Sequence, residues 1–261
     1  MEFVFLLLLI VLVVVSFWTV TAITVVITWA YLRTYYDGAE HSGKRMWPWF
    51  RRTCYCIPCL RRMYRYDGPP LQEKGVLYAV HPHGMMALGA GMALLGGETA
   101  IRVAMHGWLF AIPIVRELLL WVGSIEVDAL DVGVMLARGH TTALVPGGVR
   151  EHDNDTQRPR GFLEWNYTCW QRPVVPVWCP QELATFYVWK PSLLGSLRAW
   201  GMRVLRYPVG TLFWPRWPTH RFTVHRGRAI DPKQYGALDT FVDAYWAELD
   251  RVKTEAAHGA S

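Results

Sequence analysis

The sequence predicts an α/β fold, a largely parallel mixed sheet with flanking helices, preceded by an N-terminal transmembrane or re-entrant hydrophobic segment. Three observations carry this. Short apolar runs alternate with longer stretches of helical spacing from Gly75 onwards, the pattern of strands joined by helical crossovers. The run Phe3 to Ala30 is continuously apolar, with no charged residue from Phe3 to Leu32. The net charge of +6 is concentrated just after that run. We divide the chain into a membrane-embedded segment (1–32), a basic, aromatic interfacial connector (33–74) and a domain (75–261).

The elements follow in order. A bilayer crossing takes about 20 apolar residues, so Phe3 to Ala30 accommodates one pass or a re-entrant hairpin but not two full passes. It makes a poor signal peptide, because only Met1 and Glu2 precede it and the apolar stretch is too long. Between Tyr31 and Tyr66 stand Arg33, Lys44, Arg45, Arg51, Arg52, Arg61, Arg62 and Arg65 against Asp37 and Glu40, eight minus two or +6, so the remainder sums to zero. Basic residues beside an apolar run suit an anionic membrane surface. Their bias towards the cytosolic side puts the domain in the cytosol. The 14 Trp residues fit either a core or a membrane interface. Cys54, Cys56 and Cys59 cluster in RRTCYCIPCLRR. A tetrahedral zinc site needs a fourth ligand, and none stands at useful spacing. Juxtamembrane S-acylation and plain apolar thiols remain open for them. Cys169 and Cys179 read as core thiols.

From Gly75, GVLYAVH reads as a buried strand and MMALGAGMALL as a helix weakened by glycine. IRVAM is a strand, and PIVRELLLWVG a helix punctuated by Pro113 and Gly123. SIEV, DVGVMLARG, TTALVP, RGFLEWNYTCW and PVVPVW read as strand, helix, strand, helix and strand, and FTVHRGRAI as a late strand. In DTFVDAYWAELDRVKTEA, Phe241, Val242, Tyr245, Trp246, Leu249 and Val252 share one helical face, and Thr240 with Asp243 can form a capping box. Asn166-Tyr-Thr168 is a glycosylation sequon on a predicted cytosolic helix, so no glycan is expected there.

Ligands of parallel sheets bind beyond the carboxyl ends of the strands. Two loops stand out at such ends. In His81-Pro82-His83-Gly84, Pro82 keeps His81 extended and suits the first turn of a following helix. His83 would then sit at a helix N-terminus, where the dipole lowers an imidazole pKa and favours a neutral general base. Gly84 would leave room for a substrate against the backbone. A pair of histidines satisfied by hydrogen bonds in a turn is the competing reading. In the second loop, Gly147 and Gly148 can expose N–H groups to an anion, Arg150 adds a cationic donor and Glu151 a carboxylate. An ordinary Gly-Gly turn with a solvated Arg-Glu pair competes there.

Taken together, YAVHPHGMMALGA, IPIVRELLLWVGSI, LVPGGVREH, RPRGFLEW, VVPVW with Glu182 after it, GTLFWPRWP and FTVHRGRAIDP resemble the type 2 diacylglycerol acyltransferases and their monoacylglycerol- and wax-synthesising relatives. The likeness runs from about Tyr31 to Val252. It implies a glycerolipid acyltransferase-like fold in an integral membrane enzyme of the endoplasmic reticulum and lipid droplets. The reaction implied is acyl transfer from acyl-CoA, as co-substrate, to diacylglycerol, with no cofactor and no metal. It makes the HPHG histidines the catalytic motif and aligns PGGVRE with the family's Gly-Gly loop and glutamate. Arg158, Arg160 and Gly161 fall on its basic-Gly-Phe block, where we expect contact with CoA phosphates. The H-x-x-x-x-D dyad of the wider acyltransferase group is absent, since Met86 and Leu88 stand five residues after the two histidines. Glu151 is therefore the expected carboxylate partner.

The expected catalytic residues are thus His83, His81 and Glu151. Pro82, Gly84, Gly147, Gly148, Arg150, Arg158 and Arg160 are the expected substrate-binding residues. No G-x-S-x-G elbow occurs, and Cys179 is the one thiol worth testing as a nucleophile. The expected partners are acyl-CoA, a neutral lipid acceptor and the bilayer, without nucleic acid; an oligomer is possible. Monoacylglycerol, a long-chain alcohol or a lysophospholipid are the alternative acceptors, and a non-catalytic lipid-binding membrane protein is the alternative class.

Overall fold

The structure is a computed structural model that describes residues 2–56, 64–67, 74–82, 84, 101–147, 158–184, 186–204, 209–215 and 222–258. The chain forms two units, Met1–Ala39 and Glu40–Ser261.

The first unit is essentially one helix, α1 (Glu2–Arg33). Among the described residues it is the helix long and apolar enough to cross a membrane. At 1.5 Å per residue it is about 48 Å long, more than the ~30 Å hydrocarbon core requires. It is unbroken, so the segment is a single helix and not a hairpin. Three of its hydroxyls are satisfied within it: Thr19, Thr21 and Thr24 donate to the carbonyls of Val15, Phe17 and Val20, which lets polar side chains sit in an apolar environment. At its end the Arg33 guanidinium lies 4.8 Å from the Trp29 ring centre.

The second unit opens with α2 (Ala39–Ser42, whose first residue closes the first unit) and α3 (Pro48–Cys56). Strands β1 (Tyr64–Asp67), β2 (Leu77–His81) and β3 (Arg102–Met105) follow. Helix α4 (Val115–Val122), strand β4 (Ile125–Glu126), helix α5 (Ala129–Ala137) and strand β5 (Thr142–Leu144) continue the alternation. Helix α6 (Gly161–Trp165) runs into a π-helical turn over Asn166–Trp170. After β6 (Val174–Trp178) come β7 (Phe186–Trp189), α7 (Gly195–Val204), β8 (Leu212–Pro215), β9 (Phe222–Arg226) and α8 (Leu238–His258). The segment expected to be a helix at 85–95 lies outside the described residues.

Among the described residues, seven strands form one sheet in the order β1-β9-β6-β2-β5-β3-β4, and β7 pairs with β8 in a separate antiparallel ribbon. Every neighbour in the large sheet is parallel except β6 with β9. The fold is therefore α/β with a mostly parallel mixed sheet. Sequence reading missed β1, β7 and β8. Each is only four residues long, too short for periodicity to separate from a connector.

Successive side chains of a strand face opposite sides, and the core follows that rule. Leu77 and Ala79 of β2 join Val174, Leu163, Phe241, Tyr245 and Leu249 on the side covered by α5, α6 and α8. Tyr78 and Val80 join Val175, Val177 and Cys179 on the other side. Pro176 has no N–H for the ladder. Opposite it, β9 departs from regular pairing at Gly227, whose N–H donates to the Pro176 carbonyl. A Cβ on Gly227 would meet the proline ring at 2.8 Å.

The predicted α8 face is buried as expected, from Phe241 through Val252. The capping box is not formed: the helix starts at Leu238, and the Thr240 hydroxyl donates back to the Ala237 carbonyl. Thr240 is thus inside the first turn and cannot cap it. Cys169 also departs from expectation. It is exposed, while Cys179 is buried, because the π-helical turn rotates Cys169 away from the stripe that Leu163 and Asn166 bury.

Candidate active site

The site grows from the carboxyl edge of the sheet. Strands β2 and β5 are parallel neighbours, with Ala79 opposite Leu144. Two residues further along each lie His81 and Pro146. The HPHG and PGGVRE segments therefore begin at the carboxyl ends of neighbouring strands.

His81 has the same parity as Leu77 and Ala79, so its ring enters the side covered by α8. It is 3% exposed. Its Nε2 is 2.9 Å from the Tyr245 hydroxyl, and its ring centre is 5.6 Å from that of Trp246. The carbonyl of His81 accepts from the N–H of Cys179, 2.8 Å away. The ring is held by Tyr245 and Trp246 inside the protein. His83 lies outside the described residues, and so do Gly148, Arg150 and Glu151.

Pro82 and Gly84 are buried. Gly84 has φ +57°, and a Cβ there would stand 2.7 Å from the Glu182 carbonyl oxygen. The sequence reading reserved that space for substrate; the chain's own Glu182 backbone fills it. Glu182 is itself 1% exposed, which places a carboxylate-bearing residue directly behind the HPHG loop. Gly147 lies in the turn after β5 and is half-buried.

Arg158 and Arg160 lie along α8. Arg158 donates to Asp250 at 2.8 Å, and its guanidinium sits 5.6 Å from the Trp246 ring centre. Arg160 donates to Glu164 at 2.9 Å and to Asp239 at 2.5 Å. Both are about half exposed. A phosphate could reach them, but it would compete with carboxylates already in place.

Cys179 has the parity of Val175 and Val177, so its thiol faces the opposite side of the sheet from His81. Burial, with the nearby Glu182 charge, pushes its pKa far up. A buried thiol of that kind supplies no thiolate for nucleophilic attack. Among the described residues, no group of His, Cys, Asp and Glu could hold a metal ion. The sequon's Asn166 is fully buried, donating to the Arg172 carbonyl and accepting from the Arg172 N–H. Its amide is spent on the turn before β6.

Sequence reasoning missed Tyr245 and Trp246 as neighbours of His81. It saw them only as members of the apolar stripe of α8. The available signal was the Tyr245 hydroxyl, since a phenol buried on an apolar face needs a hydrogen-bond partner.

A sequence profile described as diacylglycerol acyltransferase matches residues 11–159. The matched span takes in α1 from Val11 onwards, both loops and Arg158, and it ends before α8. Among solved structures the chain is similar to the 1-acyl-sn-glycerophosphate (LPA) acyltransferase PlsC from Thermotoga maritima, with 16% identity, 79% of this chain and 80% of that one covered, and a TM-score of 0.49. The profile spans more than half of the chain and both loops that leave the shared sheet edge, and so this chain, an O-acyltransferase of lipid metabolism with an apolar N-terminal helix, belongs to the diacylglycerol acyltransferase family.

Proposed function

We propose that the protein transfers a fatty acyl group from acyl-CoA to the free hydroxyl of diacylglycerol, forming triacylglycerol at the endoplasmic reticulum and lipid droplet with its catalytic domain facing the cytosol. His83 removes the hydroxyl proton as the oxygen attacks the thioester carbonyl. The C–O bond forms as the C–S bond breaks, and coenzyme A leaves as a thiolate. His81 positions the loop, Glu151 orients the imidazole, and the N–H groups of Gly147 and Gly148 stabilise the oxyanion. Arg150, Arg158 and Arg160 meet the phosphates of CoA. No cofactor or metal takes part.

The observation that carries this reading is the pairing of Ala79 with Leu144, which makes the two loops neighbours. The buried His81–Tyr245 contact supports the division of labour. A histidine locked by a phenol is suited to positioning, which leaves proton transfer to its partner in the motif. The arginines before and within 40–52, with few acids among them, support the cytosolic orientation.

Expression in cells that lack neutral-lipid synthesis tests the reading. Mass spectrometry should show triacylglycerol accumulating, and a His83→Ala variant at equal abundance should show none. A wax ester or an acylated lysophospholipid would reassign the acceptor; no new acyl ester would overturn the activity.

A further inference from the structure

We infer that the β7–β8 ribbon and α7 form a second membrane-docking surface, separate in sequence from α1, that rests on a leaflet containing anionic lipid. The inference goes beyond the acyl-transfer reading and does not depend on it.

The ribbon is not part of the large sheet, and a lone two-stranded ribbon is marginal in water. Tyr187 pairs with Trp214 and Trp189 with Leu212, so these four side chains share one face. All four are exposed, and the Tyr187 and Trp214 rings stack at 5.8 Å. Aromatic residues of this kind favour the headgroup level of a bilayer.

A second exposed apolar row lies on α7 and the turn just before it. Leu193, Leu197, Trp200 and Val204 recur at helical spacing and are exposed, Leu193 at 95%. The two parts are tied together. Gly210 has φ +79°, and a Cβ there would stand 3.1 Å from Leu194, so the turn before β8 packs closely on the start of α7. Together they present an apolar face larger than scattered surface residues make.

Charge identifies the occupant. From Leu183 to Ile230 the 48 residues contain no Asp or Glu and eight basic residues: Lys190, Arg198, Arg203, Arg206, Arg216, Arg221, Arg226 and Arg228. The neutral sum over the chain outside Tyr31–Tyr66 conceals this block, which α8 and other acidic segments offset. Lys190, Arg198 and Arg203 lie between the end of β7 and the end of α7, and an apolar, Trp-bearing face with these cations beside it complements a leaflet of anionic phospholipid, where each basic residue near the surface strengthens adsorption about fivefold. A second copy of this chain would bring the same cations against it.

Photo-crosslinking tests the surface in the full chain. Benzoylphenylalanine replaces Leu193 or, as control, Glu255, an exposed position on α8. The protein is reconstituted in phosphatidylcholine vesicles with and without phosphatidylserine, each with a trace of radiolabelled phospholipid. A lipid adduct at position 193 and not at 255, stronger with phosphatidylserine, is expected. Arg203→Gln should lower the phosphatidylserine-dependent part about fivefold, and Trp189→Glu with Trp200→Glu should abolish the adduct while an unchanged thermal unfolding transition confirms a folded protein. Equal labelling at both positions, no effect of phosphatidylserine, no adduct, or an adduct of twice the chain mass would each overturn the inference.

Discussion

The two longest helices, α1 and α8, meet opposite fates from different patterning. Helix α1 is apolar around its whole circumference, and its large side chains from Leu9 to Leu32 are largely exposed. Helix α8 is apolar on one stripe only, and that stripe from Phe241 to Val252 is buried against the sheet while Asp239, Asp250 and Glu255 stay outside. A helix with one apolar stripe finishes a soluble core, and one without a polar side finds its solvent in lipid. The difference also has a chemical side. Helix α8, through Tyr245, reaches His81 of the HPHG motif.

The largest expected effect falls at that reach. His83→Ala should lower turnover by about 10² to 10⁴, and His81→Ala should leave a measurable trace and raise the acceptor KM, read by steady-state kinetics on purified protein. If His81→Ala were as fast as the parent, α8 would be no more than scaffold and the two helices would differ only in solvent. Next comes a direct contrast in stability. Leu249→Ala removes a fully buried side chain and should cost about 2–5 kcal/mol. Leu12→Ala, on the 65%-exposed surface of α1, should stay within about 0.5 kcal/mol. Thermal unfolding of both in the same detergent checks this, and equal shifts would erase the distinction.

Tyr245→Phe should be milder. It removes one hydrogen bond to a buried imidazole, about 1 kcal/mol, and should lower turnover roughly tenfold or less while shifting the pH–rate profile. A merely structural tyrosine would leave that profile unmoved. Cys179→Ala should keep turnover near that of the parent, because the thiol lies across the sheet from His81; loss of acyl transfer in folded protein would revive a covalent route.

The smallest effect lies outside both helices. His41 of α2 is 2.6 Å from Asp131 of α5 and near Glu126 and Glu40. The Asp131 hydrogen bond raises its pKa above the ordinary 6.5. Folding therefore favours the protonated ring: the contribution is complete below about pH 6.5 and disappears as pH rises through the raised value. The side chain is 51% exposed, so solvent screens the pair. His41→Gln should lower the melting temperature slightly in mildly acidic buffer and not at all in alkaline buffer; a constant difference would locate the effect elsewhere.

Much of the architecture could be read from the residues. GVLYAV, IRVAM, TTAL and VVPVW are apolar runs bounded by turn signals, and each is a strand. Gly123, with φ +89°, ends α4 where the punctuation placed it. What escaped has physical reasons. The ribbon strands FYVW and LFWP are too short to show a period and half exposed. The pairing of β1 with β9 is a contact across most of the domain, which local patterning cannot carry. At the site, HPHG was legible as chemistry, but the partner of His81 sits on a helix 164 residues away, and the tight fit of Gly84 on Glu182 depends on the turn after β6.

The order of the strands also sets an order of assembly. Strand β1 is made early, yet within the sheet it touches only β9, with Tyr64 opposite Phe222. Its partner emerges from the ribosome 158 residues later, a delay of roughly 10 to 30 s at ordinary elongation rates. Until then β1 is an unpaired strand. The first strand synthesised is among the last to be seated, and chaperones have that interval in which to guard it.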